Sequence, residues 1–581
     1  MSIQSNFPNL KPTLLLDFAN TKQLDNRVTF TRSTPAVYYD GKTTTMAEQN
    51  MLTYSQNSKT NWSEGSSTAT INATTAPDGT TTAISLVPNT TSSSEHFFFQ
   101  PYTGTVNQYT HSVYAKPNGY NWIWLRPQIG GSIIGWANFN VSTGTIGSVS
   151  SGITATITSV GNGWYRCTAT ATQGINTNYF CIGVANADGV PVFSGDGTSG
   201  AYIWGAQLEQ RSSATAYTAT TTQPITNYIP VLLTAGGNQP RFDCNPTTGE
   251  SLGLLIEEQR TNQILYSDAF ATSPWGVAAV SIQANTIVSP NGTLTGDKIV
   301  EDTTNNDHAS YQVATVSAGA NTFSVYAKAA GRTKFQLREG SAGATADFDL
   351  SNPSANMVSV GNGWYRCSLV ATPASTTFIA QIYLQNASGT KVYTGDGFSG
   401  IFIWGAQLEA GAFATSYIAT TSASATRTAD YAVMTGTNFS SWYNQGQGTI
   451  YAEGQINYNP IGGGGNSFYS IDDTSASTNV IQPYFSNGSG ILFSFVNVNG
   501  VEQSNTGVTA ISASTFFKHA QIYQTNNFAS VVNNSTVSTD TSGITPVVTQ
   551  LQFSNGKSKY FRKFAYYPLV VTTTQLQALT S

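Results

Sequence analysis

The residues able to do chemistry in this chain are few and dispersed. Four histidines, His96, His111, His308 and His519, lack the His-x-x-x-His or Cys-x-x-Cys spacing of a zinc site. No Gly-x-Ser-x-Gly elbow is present, and Gly462-Gly463-Gly464-Gly465 lacks the Lys-Ser/Thr that completes a phosphate loop. Glycoside hydrolysis needs two carboxylates facing one bond. The adjacent acids Asp472-Asp473 and Glu257-Glu258 would point to opposite faces of a strand, and in a loop would be solvated. Asp196 and Asp396, each flanked by glycines, are candidate ligands for a structural Ca²⁺, with Glu209 and Glu409 as further oxygens. Asp-Gly is equally a common turn dipeptide. The expectation is a protein without catalytic activity and with no cofactor beyond that possible Ca²⁺.

A second chemistry, stacking on flat aromatic rings, emerges from a duplication. Val160-Gly161-Asn162-Gly163-Trp164-Tyr165-Arg166-Cys167 recurs unchanged at Val360 to Cys367, and Ile203-Trp204-Gly205-Ala206-Gln207-Leu208-Glu209 recurs at Ile403 to Glu409. Ser112-Val113-Tyr114-Ala115-Lys116 recurs at Ser324 to Lys328 with a different offset, as loop insertions permit. Trp164, Tyr165 and Trp204 are shared by both copies inside shared blocks, which marks them as scaffold. Asn162-Gly163 and Asn362-Gly363 fit hairpin turns whose central residues need φ > 0.

The positions where the copies disagree are more informative. Gly119 to Arg126 reads Gly-Tyr-Asn-Trp-Ile-Trp-Leu-Arg, against Gly-Arg-Thr-Lys-Phe-Gln-Leu-Arg at Gly331 to Arg338. Alternate strand residues share a face. Ile123 and Leu125 match the apolar Phe335 and Leu337 and should face the core. Tyr120, Trp122 and Trp124 match Arg332, Lys334 and Gln336, so three aromatics are expected in a row on an outer, solvent-facing surface. Such a patch marks a contact with glycan or with protein.

The elements that must carry these residues are strands. Only 9% of residues are charged, 40% are hydrophobic and 12% aromatic, and 53 are glycine. That composition favours β structure and turns, and leaves enough apolar area to exclude disorder. Short alternating runs such as Tyr109 to Tyr114 and Thr376 to Tyr383, punctuated by Asn-Gly, Asp-Gly and Pro, read as antiparallel jelly-roll sandwiches. One or two helical turns are expected at Thr572 to Leu579. The organisation predicted is an N-terminal segment over 1–50, copy 1 over 51–222, a connecting segment over 223–262, copy 2 over 263–430 and a third sandwich over 431–581. Residues 1–50 and 223–262 read as irregular connectors packed on their neighbours.

A net charge of −5 with no Lys/Arg cluster argues against nucleic-acid binding. The N-terminus lacks a basic start and an apolar run, so neither a secretory signal nor membrane insertion is expected. The four cysteines make no disulfide framework, and the equivalent of Cys181 in copy 2 is Gln381. They read as buried thiols, with a Cys167 to Cys181 bridge as the alternative.

Three blocks, Leu14-Leu15-Leu16-Asp17-Phe18-Ala19, Val28-Thr29-Phe30-Thr31-Arg32-Ser33 and Gly253 to Asn262, resemble a family of tailed-phage virion proteins described as head spikes or tail fibres. The repeats resemble carbohydrate-binding modules of galactose-binding-like topology, and Arg562 to Thr580 resembles concanavalin-like or laminin-G-like lectin domains. The resemblance implies an all-β chain with two galactose-binding-like jelly rolls followed by a concanavalin-like sandwich. It also implies a virion location, a docking role for residues 1–50, host surface glycans and other capsid or tail proteins as partners, and a homo-oligomer such as a trimer. Rival expectations are a polysaccharide depolymerase and an architectural cement protein that binds no sugar.

Overall fold

The computed structural model describes residues 10–130, 132–461, 466–474, 478–554 and 556–581. The chain is all-β, as its composition and alternation predict, and consists of three sandwiches.

Copy 1 packs two sheets face to face. The inner sheet runs in the order Thr154–Ser159, Tyr165–Gln173, Asn107–Asn118, Gly200–Glu209, Ala83–Pro88, Ser67–Thr74. The outer sheet centres on Ala137–Asn140, Trp122–Ile129, Asn176–Ala185 and Ser94–Gly104. Between them lies one core that includes Val113, Ile123, Leu125, Phe139, Cys167, Phe180 and Leu208. Copy 2 repeats the plan. Its inner sheet includes Gly400–Ala410, Asn321–Ala330 and Trp364–Ala371, and its outer sheet Ala309–Thr315, Thr377–Gln385, Lys334–Glu339 and Thr345–Asp349.

The recurring residues are scaffold, as their recurrence implies. Trp164, Trp204, Trp364 and Trp404 are all buried, and Trp404 packs against Tyr326 and Tyr417 as Trp204 packs against Tyr114 and Tyr217. Asn162 and Gly163 take φ of 52° and 76°, and Asn362 and Gly363 take 49° and 73°, the left-handed pair that the Asn-Gly hairpin requires. All four cysteines are buried free thiols, which settles the alternative of a Cys167 to Cys181 bridge. The C-terminal helix Thr573–Leu579 opens on a capping box between Thr572 and Gln575 and docks through Leu576 and Leu579.

The segments 1–50 and 223–262 differ from the irregular connectors expected. Leu14–Leu16 pairs antiparallel with Lys559–Tyr567, Thr29–Thr31 pairs with Tyr431–Thr435, and the hairpin Arg241–Cys244 and Ser251–Ile256 extends the same sheet as Lys559–Tyr567. Leu14, Phe18, Phe30, Leu254 and Ile256 share one core with Ile450, Phe468, Phe561 and Tyr566. The third sandwich is thus assembled from three stretches of chain, and each repeat is inserted between two of them. Three-residue strands whose partners lie hundreds of positions away carry no periodicity to read.

A buried ion network ties the stretches together. Asp430 accepts from Arg32 Nη1 at 2.9 Å and from Arg241 Nη2 at 2.6 Å, while Glu257 Oε2 accepts from Arg241 Nη1 and Arg427 Nη1, both at 2.7 Å. Ser416 donates to Glu257 from its backbone N–H and its hydroxyl. Charges this deep persist only when each is matched and hydrogen-bonded.

Candidate functional site

The outer sheet of each repeat turns one row of side chains to the core and the other outward. In copy 1, Ile123 and Leu125 face the core as expected, and Trp122, Trp124 and Arg126 lie on the opposite face. Two parts of the expected aromatic row require correction. Trp124 is 0% exposed. Its ring lies across Gly183 on the neighbouring strand, where an added Cβ would stand 2.1 Å from the indole. The Trp136 ring caps it edge-on at 4.9 Å, and the Arg126 guanidinium sits 4.9 Å over Trp124, 4.8 Å over Trp136 and 5.1 Å over Phe97. Arg126 is itself held by Glu95 at 2.5 Å. Tyr120 precedes the strand Trp122–Ile129 and packs on Phe193, with ring centroids 5.2 Å apart, so it is not in the row.

What the face presents is a wider patch than one strand encodes. Phe97, Phe99, Trp122, Trp136 and Tyr179, all half-buried, surround the buried Trp124 and Arg126. Four of these five come from neighbouring strands or loops, and comparison of a single strand with its repeat does not reach them. Trp122 is the one residue of the expected row that remains both outward and accessible, its ring resting over Gly147.

The same face of copy 2 is polar. A groove of about 500 Å³ is lined by Lys334, Gln336, Asp347, Asp349, Gln385 and Lys391. Asp347 Oδ1 accepts from Gln336 Nε2 at 2.8 Å and from Gln385 Nε2 at 2.6 Å. Lys391 Nζ stands 4.7 Å over the Tyr383 ring. On this face the amide oxygens of Gln336 and Gln381 are buried without a hydrogen-bond partner. A buried acceptor left unpaired costs free energy that a ligand hydroxyl would recover.

The Ca²⁺ candidates are committed elsewhere. Asp196 Oδ1 accepts from the N–H groups of Thr198 and Ser199 at 2.8 and 2.7 Å, and Asp396 Oδ1 accepts from those of Phe398 and Ser399 at 2.8 and 2.6 Å. The Ser199 side chain together with these N–H groups holds Asp196 below the usual carboxylate range, and in Asp396 burial pushes up but is outweighed by the Ser399 side chain and the N–H groups of Ser399 and Phe398. Glu209 and Glu409 are fully buried, each gripping the Thr six residues on and the Gln two before. Among the described residues no group of three or more His, Cys, Asp or Glu side chains is placed to hold a metal.

The acidic pairs are not solvated as expected. Glu257 lies in the arginine network, and Asp472 is buried, accepting from Ser470, Thr474 and Gln550. Burial pushes His111 and His519 down to about 3. His519 Nε2 meets Ser494 Oγ at 2.8 Å, but its Nδ1 has no partner to orient the ring. His96 and His308 are clamped between backbone carbonyls of Ser66 and Phe193, and of Ala279 and Tyr393.

No family model matches the chain, and no curated protein is similar to it. Solved structures with a similar arrangement include the tandem CBM22-1-CBM22-2 modules of Paenibacillus barcinonensis Xyn10C, at 9% identity and a TM-score of 0.19, covering 63% of this chain and 97% of that one. The CBM40 of the Ruminococcus gnavus IT-sialidase covers 24% of this chain and 84% of its own at 16% identity and a TM-score of 0.19. Mouse laminin alpha1 domains LG4-5 cover 50% and 84% at 11% identity and a TM-score of 0.15. All are β-rich domains, and at such scores the likeness carries no argument about what this chain binds.

Proposed function

We propose that the chain is a non-enzymatic adhesion protein that binds glycans through the outer faces of its two repeats. The observation that carries this reading is the copy 2 groove, where amides and a carboxylate converge and the buried amide oxygen of Gln336 lacks a donor. Saccharide hydroxyls supply such donors. Copy 1 would contribute the apolar half of recognition, with Trp122 and Trp136 offering ring faces to a pyranose. Two weak sites on one chain, multiplied in an oligomer, would raise avidity by roughly 10²–10⁴.

The virion reading is part of the same proposal and is supported by the resemblance of Leu14 to Ala19, Val28 to Ser33 and Gly253 to Asn262 to phage surface proteins. The partners would then be capsid or tail proteins on one side and host glycans on the other. Antibody labelling of particles tests the location. A glycan array tests the binding: the Gln336→Ala/Gln385→Ala pair should lose hits that Trp122→Ser only weakens. An array without any hit for the wild-type chain would favour a purely architectural role, and new reducing ends on incubation with host polysaccharide would favour a depolymerase.

A further inference from the structure

The inner sheet of copy 1 carries a feature that copy 2 lacks. Thr154 stands directly opposite Thr170, and Thr156 opposite Thr168, on the paired strands Thr154–Ser159 and Tyr165–Gln173. Hydroxyls pair across the strands: Thr156 Oγ1 meets Thr168 Oγ1 at 2.6 Å, and Thr170 Oγ1 meets Thr110 Oγ1 of the next strand, Asn107–Asn118, at 2.8 Å. The corresponding positions of copy 2 read Ser354, Val370, Asn356 and Ser368. The ladder is therefore not demanded by the fold.

The ladder faces a cleft of about 760 Å³ between the repeats. In copy 2 the equivalent aromatic surface, Tyr326, Trp404 and Tyr417, is covered by Tyr39, Ala47, Ile229 and Leu232 from the stretches that precede and follow copy 1. In copy 1 its counterparts Tyr114, Trp204 and Tyr217 line the cleft instead. The far wall is supplied by copy 2 through Gln283, Asn285 and Lys298.

The shared arginine has changed its duties at this place. Arg366 Nη1 donates to Thr415 O at 2.5 Å and its Nη2 to Ser324 Oγ at 3.1 Å. Arg166 keeps only the second of these bonds, to Ser112 Oγ at 3.0 Å, while the Nε of either arginine is buried without a partner. Each guanidinium stacks on its tyrosine, Arg166 5.3 Å over Tyr114 and Arg366 5.4 Å over Tyr326, and the Arg166 pair stands at the cleft wall. Lys298 is 8% exposed, with Nζ on Phe398 O at 2.8 Å and 4.4 Å over the Phe398 ring. Burial pushes this ammonium down to about 8, against the opposing pull of Asp396 and Glu301. The charged groups of the lining are thus Arg166, Lys298 and a single acid, Asp78.

We infer that this cleft is a second ligand site, distinct from the outer faces, and that its ligand is a hydroxyl-rich saccharide carrying a carboxylate. The threonine ladder and the facing amides match sugar hydroxyls, the half-buried Tyr217 ring, backed by the buried Tyr114 and Trp204, matches a pyranose face, and the two cations match the acid group. The lining supplies a single acid beside the two cations, and a ligand carboxylate would add a second.

Isothermal titration of the full chain at low salt with a tetrasaccharide of glucuronic acid, and with its neutral glucose counterpart, tests the inference. The acidic ligand should bind about tenfold tighter than the neutral one. Lys298→Met should erase that preference. Thr156→Val, at an exposed position where folding is not at stake, should weaken the acidic ligand several-fold, and binding should slow hydrogen exchange along Thr154–Ser159. Absence of binding, equal affinity for the two ligands, or a preference that survives Lys298→Met would overturn the assignment. A preference lost in Gln336→Ala or Trp122→Ser while Lys298→Met retains it would move the acidic site to an outer face, which also overturns it while leaving the proposed adhesive role standing.

Discussion

Replacing Glu257 by Gln removes one charge from a network in which every partner is buried. In the intact protein burial pushes the Glu257 carboxyl up, but the Arg427 and Arg241 guanidiniums and Ser416 outweigh it and hold the group at about 2, from an ordinary 4.5. A displacement of that size corresponds to about 3 kcal/mol of stability. The folded-state value is depressed, so this contribution is complete above the unfolded carboxylate range near pH 4.5 and is lost as pH falls towards 2. Glu257→Gln should forfeit it outright, and the uncompensated guanidiniums place the loss at roughly 3–5 kcal/mol. Because Glu257 follows the strand Ser251–Ile256, which pairs into the sheet of the third sandwich, and ties it to Arg427 and Ser416, the transition of that sandwich is the one affected. Calorimetry at pH 7 should show it lowered by roughly 6–20 °C for a domain of this size. The decisive control is a pH series, since wild type and variant should converge near pH 2, where the native glutamate is also protonated. A variant melting within about 2 °C of wild type at pH 7, or a gap that stays constant down to pH 2, would refute the account of the network.

Three further outcomes follow from the geometry. Trp124→Ala should destabilise copy 1 by about 3–5 kcal/mol in a denaturant titration, whereas Trp122→Ala, on the accessible part of the same face, should cost well under half of that. Addition of a chelator should leave the melting temperature within about 1 °C, because the Asp196 and Asp396 carboxylates already accept two backbone N–H groups each. Burial raises Cys181 to about 11 and Cys167 well above the ordinary thiol range, so a disulfide reagent at pH 8 should label neither thiol in the native protein and both after unfolding.

Much of the scaffold was legible because the chain contains its own comparison. Trp164, Trp204 and the Asn-Gly turns recur, and the structure puts them in cores and left-handed hairpins. The alternation along Trp122–Ile129 correctly sent Ile123 and Leu125 inward. It failed for Trp124 because exposure on a sheet depends on lateral neighbours, and Trp136 and Phe97 cover that ring from elements a single strand does not reveal, together with Arg126 two residues along the same strand. Glu301 was missed for a similar reason. Glu301-Asp302 is a further adjacent acidic pair, but its spacing does not show that Glu301 is buried between Arg332 and the Tyr393 hydroxyl. The strands Leu14–Leu16 and Thr29–Thr31 were invisible as strands, since three residues give one alternation and their partners lie at the other end of the chain.

That last pairing constrains how the molecule is made. Leu14 meets Tyr566, so the first strand of the third sandwich emerges from the ribosome about 550 residues before its partner. At roughly 5–20 residues per second, it waits half a minute to two minutes with its leucines unpaired. Each repeat closes its own sheets on itself in the meantime, so folding must start in the insertions and finish in the body that holds them. The low charge that suits a polar, uncharged surface is then a hazard during synthesis, and the waiting strand is where a chaperone or a neighbouring nascent chain would find its purchase.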